Sequence, residues 1–192
     1  NHELVKSGKK EMLAAGLDVV LGTAIAYLIL RTRLPARQWL DWLASAALAI
    51  PGLVLAIGYL RLFKGVHVPF TDKLVIHSWV LIMLAYAVRR LPYALRSCMA
   101  ALQQVHVSLE EAAQSVGASR LSTIRRVMVP LMAGGILAGF VTSFITAAVE
   151  LSATLVLVST ESQAPMSLGI YLYMQSIAGR GLDSGIQGAG AG

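Results

Sequence analysis

An all-α, polytopic integral membrane protein is the fold class this sequence predicts. Three observations carry it: long apolar runs at the spacing of membrane spans, arginines gathered beside those runs, and one polar helix-forming stretch set between two of them. Of the 192 residues, 56% are apolar and only 14% charged, with a mean hydropathy of +0.68. A water-soluble domain of this length has too little interior to hide so much apolar surface. The net charge of +6 reads as membrane orientation and not as a nucleic-acid footprint, because the arginines flank apolar runs in short segments. Cys98 is the only cysteine, and the histidines (His2, His67, His77, His106) are scattered. No disulfide framework, metal site or cofactor follows from them.

Taken in order, residues 12–30 are the first apolar run, long enough at about 1.5 Å per residue to cross a hydrocarbon core of about 30 Å. Asp18 is its one ionisable interruption. Residues 43–60 are the second run, with Pro51-Gly52 near the middle; proline removes a backbone bond there, so a kink is expected. Residues 74–88 are a shorter third run, which extends towards Pro92 or crosses a thinned region. Residues 127–149 are the fourth, with Pro130 in the first turn, where proline fits a helix, and Glu150 at the end. That length places Glu150 near the outer interface. Residues 151–158 and 166–178 are apolar but short or interrupted, and read as re-entrant or interfacial pieces. The chain opens without an initiator methionine or signal pattern and closes on Gly-Ile-Gln-Gly-Ala-Gly-Ala-Gly, so a piece of a longer protein, its last span truncated, is expected.

Arg31, Arg33, Arg37 and the arginines of residues 89–126 outnumber the basic residues of the opposite loops, which puts that side in the cytoplasm; Lys6, Lys9 and Lys10 then fall outside. The polar stretch, residues 108–126, lies on the cytoplasmic side. Ser108 followed three residues later by Glu111 is a capping-box start. Gly117 costs about 1 kcal/mol in a helix interior, so it predicts a tight turn between two short helices. Ala112, Ala113, Ser115 and Ala118 allow close approach by another surface, and Val116, Leu121 and Ile124 form an apolar strip.

At these residues the chain resembles the permease subunits of binding-protein-dependent ABC importers. Glu111-Ala112-Ala113, three residues, Gly117, nine residues, then Val127, Met128, Val129 and Pro130 fit that family's cytoplasmic signature at every position. Arg31-Thr32-Arg33-Leu34-Pro35, Ala49-Ile50-Pro51-Gly52 and Arg89-Arg90-Leu91-Pro92-Tyr93-Ala94-Leu95-Arg96 look like the ferric-iron group and its 2-aminoethylphosphonate-type relatives. The resemblance implies the type I importer fold, with about five spans per repeat of a double-repeat permease in a bacterial inner membrane. It also implies the partners: cytoplasmic ABC ATPase subunits docking on the Glu-Ala-Ala helix, an extracytoplasmic substrate-binding protein, and a second permease repeat or subunit. Glu111, Ala112, Ala113, Gly117 and Pro130 are the coupling residues it marks. No phosphate-binding loop occurs in the chain, so ATP hydrolysis belongs to a separate subunit.

Several residues keep two readings. Glu111 is either a docking contact or a solvated charge favouring the helix dipole. Arg125 and Arg126 are ATPase contacts or simply membrane-flanking. Glu150 and Asp18 are the pathway candidates, because a carboxylate at membrane depth is costly unless it faces water or a partner; pairing with a polar group on another helix is the alternative for Asp18. Gly135 and Gly139 have the small-xxx-small spacing of close helix packing, with Gly134 widening that face. Tyr171 and Tyr173 suit an interfacial belt, and Cys98 a small apolar filler. The competing function is an ion-coupled secondary transporter or channel using Asp18 and Glu150; a membrane protease has no motif to support it.

Overall fold

The first apolar run folds as one helix, α1 (His2–Arg31), and its portion Glu11–Arg31 is by itself long and apolar enough to cross a membrane. The computed structural model describes residues 2–33, 35, 37–67, 79–150, 154–157, 171 and 173–177. Within them the elements that follow α1 are all helices: α2 (Arg37–Ala49), α3 (Gly52–Leu62), α4 (Trp79–Gln104), α5 (Val107–Ser115), α6 (Arg120–Thr123), a π turn (Ile124–Met128), α7 (Val129–Leu131), α8 (Ala133–Ala148) and α9 (Thr154–Leu157). Of the two short apolar pieces after Glu150, residues 151–153, 158, 166–170, 172 and 178 lie outside the described residues.

The second run is not a kinked helix but a corner. α2 and α3 meet at 106°. Pro51 drives its neighbour out of the helical region and itself sits at ψ 139, so it ends one helix and caps the next, its carbonyl accepting from Leu55 N at 3.1 Å. The third run also differs from its expected bounds. α4 continues for 26 residues through Pro92, which places Arg89 and Arg90 near the middle of a helix instead of at a membrane edge. The fourth is broken too: the pieces before and after Met132 meet at 73°. Pro130 does lie in the first turn of α7. Counting each bent pair as one span gives up to three membrane-crossing units among the described residues.

α1 and α4 run parallel, since partners rise together in number: Gly22 lies against Ala94 and Leu95, Thr23 Oγ1 is 3.4 Å from Cys98 Sγ, and Arg31 reaches Leu102. α8 runs antiparallel to α4. A Cβ on Gly135 would come within 2.3 Å of Ala101 Cβ, and one on Gly139 within 3.2 Å of Ser97 Cβ. Ser97 Oγ also donates to Gly135 O at 2.8 Å. Glycine and alanine thus let the backbones touch, the usual basis of helix association where lipid removes the hydrophobic drive. Gly134 takes no part, for nothing lies within 4 Å of a Cβ there. α2 joins the bundle at an outer edge, where Arg96 pairs with Asp41 at 3.2 Å and donates to Ser45 Oγ at 3.0 Å.

Two apolar clusters result. One gathers Leu81, Ile82, Ala85 and Tyr86 of α4 with Ala14, Ala56, Ala147 and Leu157. The other gathers Leu95, Cys98 and Leu102 with Ala26, Ala44, Met128 and Met132. The stretch of α4 between them holds Arg89 and Arg90.

Candidate functional site

Two constellations stand out, one at the α5 end of the bundle and one in the layer between the apolar clusters. At the α5 end, the chain leaves α4, turns at His106 and enters α5. His106 is the N-cap: its Nδ1 accepts from Ser108 N at 3.3 Å and lies 2.8 Å from the Ser108 hydroxyl. The capping box expected at Ser108 is therefore absent; the extended backbone at His106 starts the helix two residues earlier and leaves Ser108 inside the first turn.

α5 ends as the glycine predicts. Gly117 has φ +90, with its N–H bonded to Gln114 O at 2.9 Å and the next N–H, from Ala118, reaching back to Ala113 O at 3.0 Å. Those two bonds satisfy carbonyls that a helix end would otherwise leave orphaned, and only glycine adopts the left-handed conformation at no steric cost. Gly117→Ala meets no neighbour within 4 Å, so it isolates the backbone strain; about 1 kcal/mol of lost stability in thermal unfolding is expected. Ser119 caps α6, accepting from Ser122 N at 3.3 Å.

On this corner Glu111 and Ala112 are exposed, Ala113 is half-buried, and Pro130 is exposed beyond the π turn. Val116 and Leu121 are 85% and 75% exposed, an apolar pair standing off the bundle beside exposed Arg120, Arg125 and Arg126. Glu110, the neighbour of Glu111, points the other way and is only 6% exposed. Its Oε1 accepts from Arg31 Nε at 2.6 Å, while Arg31 Nη2 donates to Leu102 O at 3.2 Å and to Val105 O.

The middle layer ties one predicted carboxylate to a hydroxyl of α8 and the other to a pair of arginines. Asp18 is fully buried and accepts from Ser143 of α8. Glu150, past the end of α8, is clamped by Arg90 and by Arg89 at 3.1 Å to Nε. Arg89 Nη1 also donates to Ile50 O at 3.1 Å, the carbonyl freed at the α2–α3 corner. Gly52 leaves room for this: a Cβ there would lie 2.9 Å from Arg89 Nη1. Glu150 therefore sits beside the middle of α4, not at the end of a straight span, because the fourth run bends by 73° at Met132 and only its α8 part runs along α4.

Sequence reasoning used Arg31, Arg89 and Arg90 only for orientation and as motif residues, and did not find the buried roles of Glu110 and Ser143 or the close approach at Gly22. Cys98 is buried against Thr23, as a small filler would be, and Tyr171 and Tyr173 are exposed.

Residues 18–182 match the protein family described as the binding-protein-dependent transport system inner membrane component. The chain is 30% identical over 151 residues to the ferric transport system permease protein FbpB of Actinobacillus pleuropneumoniae, covering 79% of this chain and 21% of that protein. It is 31% identical to the sulfate transport system permease protein CysT of Salmonella typhimurium, over 75% of this chain and 55% of the other. Against the molybdenum transport system permease protein ModB of Escherichia coli K12 the figures are 31%, 79% and 69%. The chain thus spans about a fifth of the ferric relative and just over half of the sulfate one. A chain of the MetNI methionine ABC transporter, in an inward-facing form, superposes with a TM-score of 0.58 at 17% identity, covering 75% of this chain and 69% of that one; this is a likeness of fold. By the match over residues 18–182 and the helical fold it shares with that transporter chain, the chain belongs to the inner membrane components of binding-protein-dependent transport systems, the ABC importer permeases of type I fold.

Proposed function

We propose that this chain forms part of the substrate pathway of an ATP-driven importer and is driven by a separate ABC ATPase docked on the α5–α6 corner. The α5 end then faces the cytoplasm of a bacterial cell, and an extracytoplasmic binding protein delivers cargo to the opposite end. A second permease repeat or subunit completes the pathway. The observation that carries this reading is the corner itself: Glu111 and Ala112 open to the surface, next to an apolar Val116–Leu121 pair that the bundle leaves uncovered. A small apolar patch with a charged rim is what a docked protein surface buries.

Asp18 and Glu150 are proposed to act on the pathway: Glu150 follows the end of α8, and half-helix ends buried between spans are where transporters hold ions and polar cargo, while Asp18 is a buried carboxylate within α1. Ferric iron and an organophosphonate are the proposed cargoes, with sulfate and molybdate drawn from the relatives as the comparison set.

The test uses the complete transporter. Glu111→Arg reverses the charge on the docking face, and about a tenfold loss of co-purified ATPase is expected, the scale of one interfacial charge contact. Gly117→Trp should act likewise. Undiminished ATPase retention and uptake in both variants would refute the docking reading. Uptake that survives without any ATPase but collapses with an ion gradient would replace it with the secondary-carrier reading. Uptake of labelled ferric, sulfate, molybdate and 2-aminoethylphosphonate identifies the cargo.

A further inference from the structure

We infer that Arg31 is a positioning residue that pins the α5 corner to α1, making α1 the element that carries movement of the corner to the buried Asp18 layer. The inference rests on the reading that an ATPase docks on α5. Its basis is geometric. Arg31 is the last residue of α1, and its side chain is only 13% exposed. One guanidinium spans both sides of the α4–α5 turn: it donates to Leu102 O in the last turn of α4 and to Val105 O just past it, and pairs with Glu110 in the first turn of α5. Each contact also has the sign the helix ends favour, a cation at the C-terminus of α4 and a carboxylate at the N-terminus of α5. The planar, five-donor guanidinium can hold three acceptors in fixed directions, which an ammonium cannot do as rigidly.

The other end of the connection lies thirteen residues back along α1, about 20 Å at helical rise. There the buried Asp18 accepts a hydrogen bond from Ser143 of α8. A single helix thus has one polar tie at the docking corner and another in the middle layer, with close backbone packing at Gly22 between them. Glu110 is turned inward to Arg31 while Glu111 faces out, so adjacent carboxylates divide into an inner tie and an outer contact.

The experiment reconstitutes the complete transporter with its ATPase and binding protein, and measures ATPase retention, hydrolysis and cargo moved per ATP. Arg31→Met should keep the ATPase bound and hydrolysing while cargo per ATP falls about tenfold, within the range of coupling between sites. Arg31→Lys should fall between that variant and the parent. Glu110→Gln, which keeps the carbonyl bonds of Arg31, should lower cargo per ATP by a smaller factor and gives a reading if Arg31→Met does not assemble. An unchanged ratio in Arg31→Met or Glu110→Gln overturns the proposal, as does a drop in which yield, hydrolysis and uptake fall together in all three variants. Failure of the docking reading looks different: Glu111→Arg then leaves the ATPase in place whatever Arg31 does.

Discussion

Glu150→Leu is expected to destabilise the protein by about 3–5 kcal/mol, because it removes the carboxylate facing two arginines and leaves a buried guanidinium without its counter-charge. The Arg90 and Glu150 side chains are 9% and 6% exposed, so water cannot replace the lost partner. Arg89 is 20% exposed and keeps its bond to Ile50 O, so Arg89→Met should cost less than Arg90→Met. Glu150→Gln, which retains an acceptor but not the charge, should fall between Glu150→Leu and the parent. Combining Glu150→Leu with Arg90→Met should recover part of the loss, since removing both members of a buried pair costs less than stranding one. Thermal unfolding in lipid nanodiscs reads all of these. If Glu150→Leu unfolds within about 0.5 kcal/mol of the parent, as an ordinary surface substitution does, the cluster is not a closed one.

That cluster also shows where sequence reasoning stopped. Helical class, the break at Pro51, the turn at Gly117 and the glycine contacts at residues 135 and 139 all follow from local chemistry: a missing N–H, a missing Cβ, a left-handed φ. Each is visible in one or two residues. Arg89 and Arg90 are different, because a charge next to an apolar run has the same sequence appearance whether it lies at a membrane edge or is buried against a carboxylate sixty residues away. Only the long-range partner decides, and Glu150 reaches it because the bend at Met132 lays α8 antiparallel along α4. Arg31 was legible as a basic residue ending a span, but its acceptors are two carbonyls and an inward carboxylate seventy or more residues on. Glu110 was hidden beside Glu111, since adjacent helical residues point in directions about 100° apart and no local signal says which faces inward. Ser108 erred the other way: the three-residue spacing to Glu111 was real, yet His106 had already capped the helix. The turn of the α5–α6 corner was thus readable from sequence, whereas the ties that hold it to the bundle were not.

Three glycines of α8 separate packing from backbone propensity. In an open helix, glycine to alanine gains up to about 1 kcal/mol, so the sign of each substitution depends on the room its methyl group finds. Gly134→Ala meets nothing within 4 Å and should be neutral or stabilising by up to about 1 kcal/mol. Gly139→Ala places its methyl 3.2 Å from Ser97 Cβ and 3.3 Å from Ala94 Cα, tight enough for the two effects to cancel. Gly135→Ala would put a methyl 2.3 Å from Ala101 Cβ and 3.1 Å from Ser97 O; overpacking of this kind costs about 1–3 kcal/mol and outweighs the propensity gain. Gly135→Leu should keep α8 from seating at all, because backbone and a short side chain offer no flexible end to move aside. Ala101→Gly in the Gly135→Ala background removes the 2.3 Å overlap and should restore part of the stability, less the propensity lost from α4. Unfolding measurements that rank Gly134→Ala, Gly139→Ala and Gly135→Ala in descending order of stability support close α4–α8 contact. A ranking in which Gly135→Ala is as stable as Gly134→Ala would mean that the two helices are farther apart than the Ser97–Gly135 hydrogen bond requires.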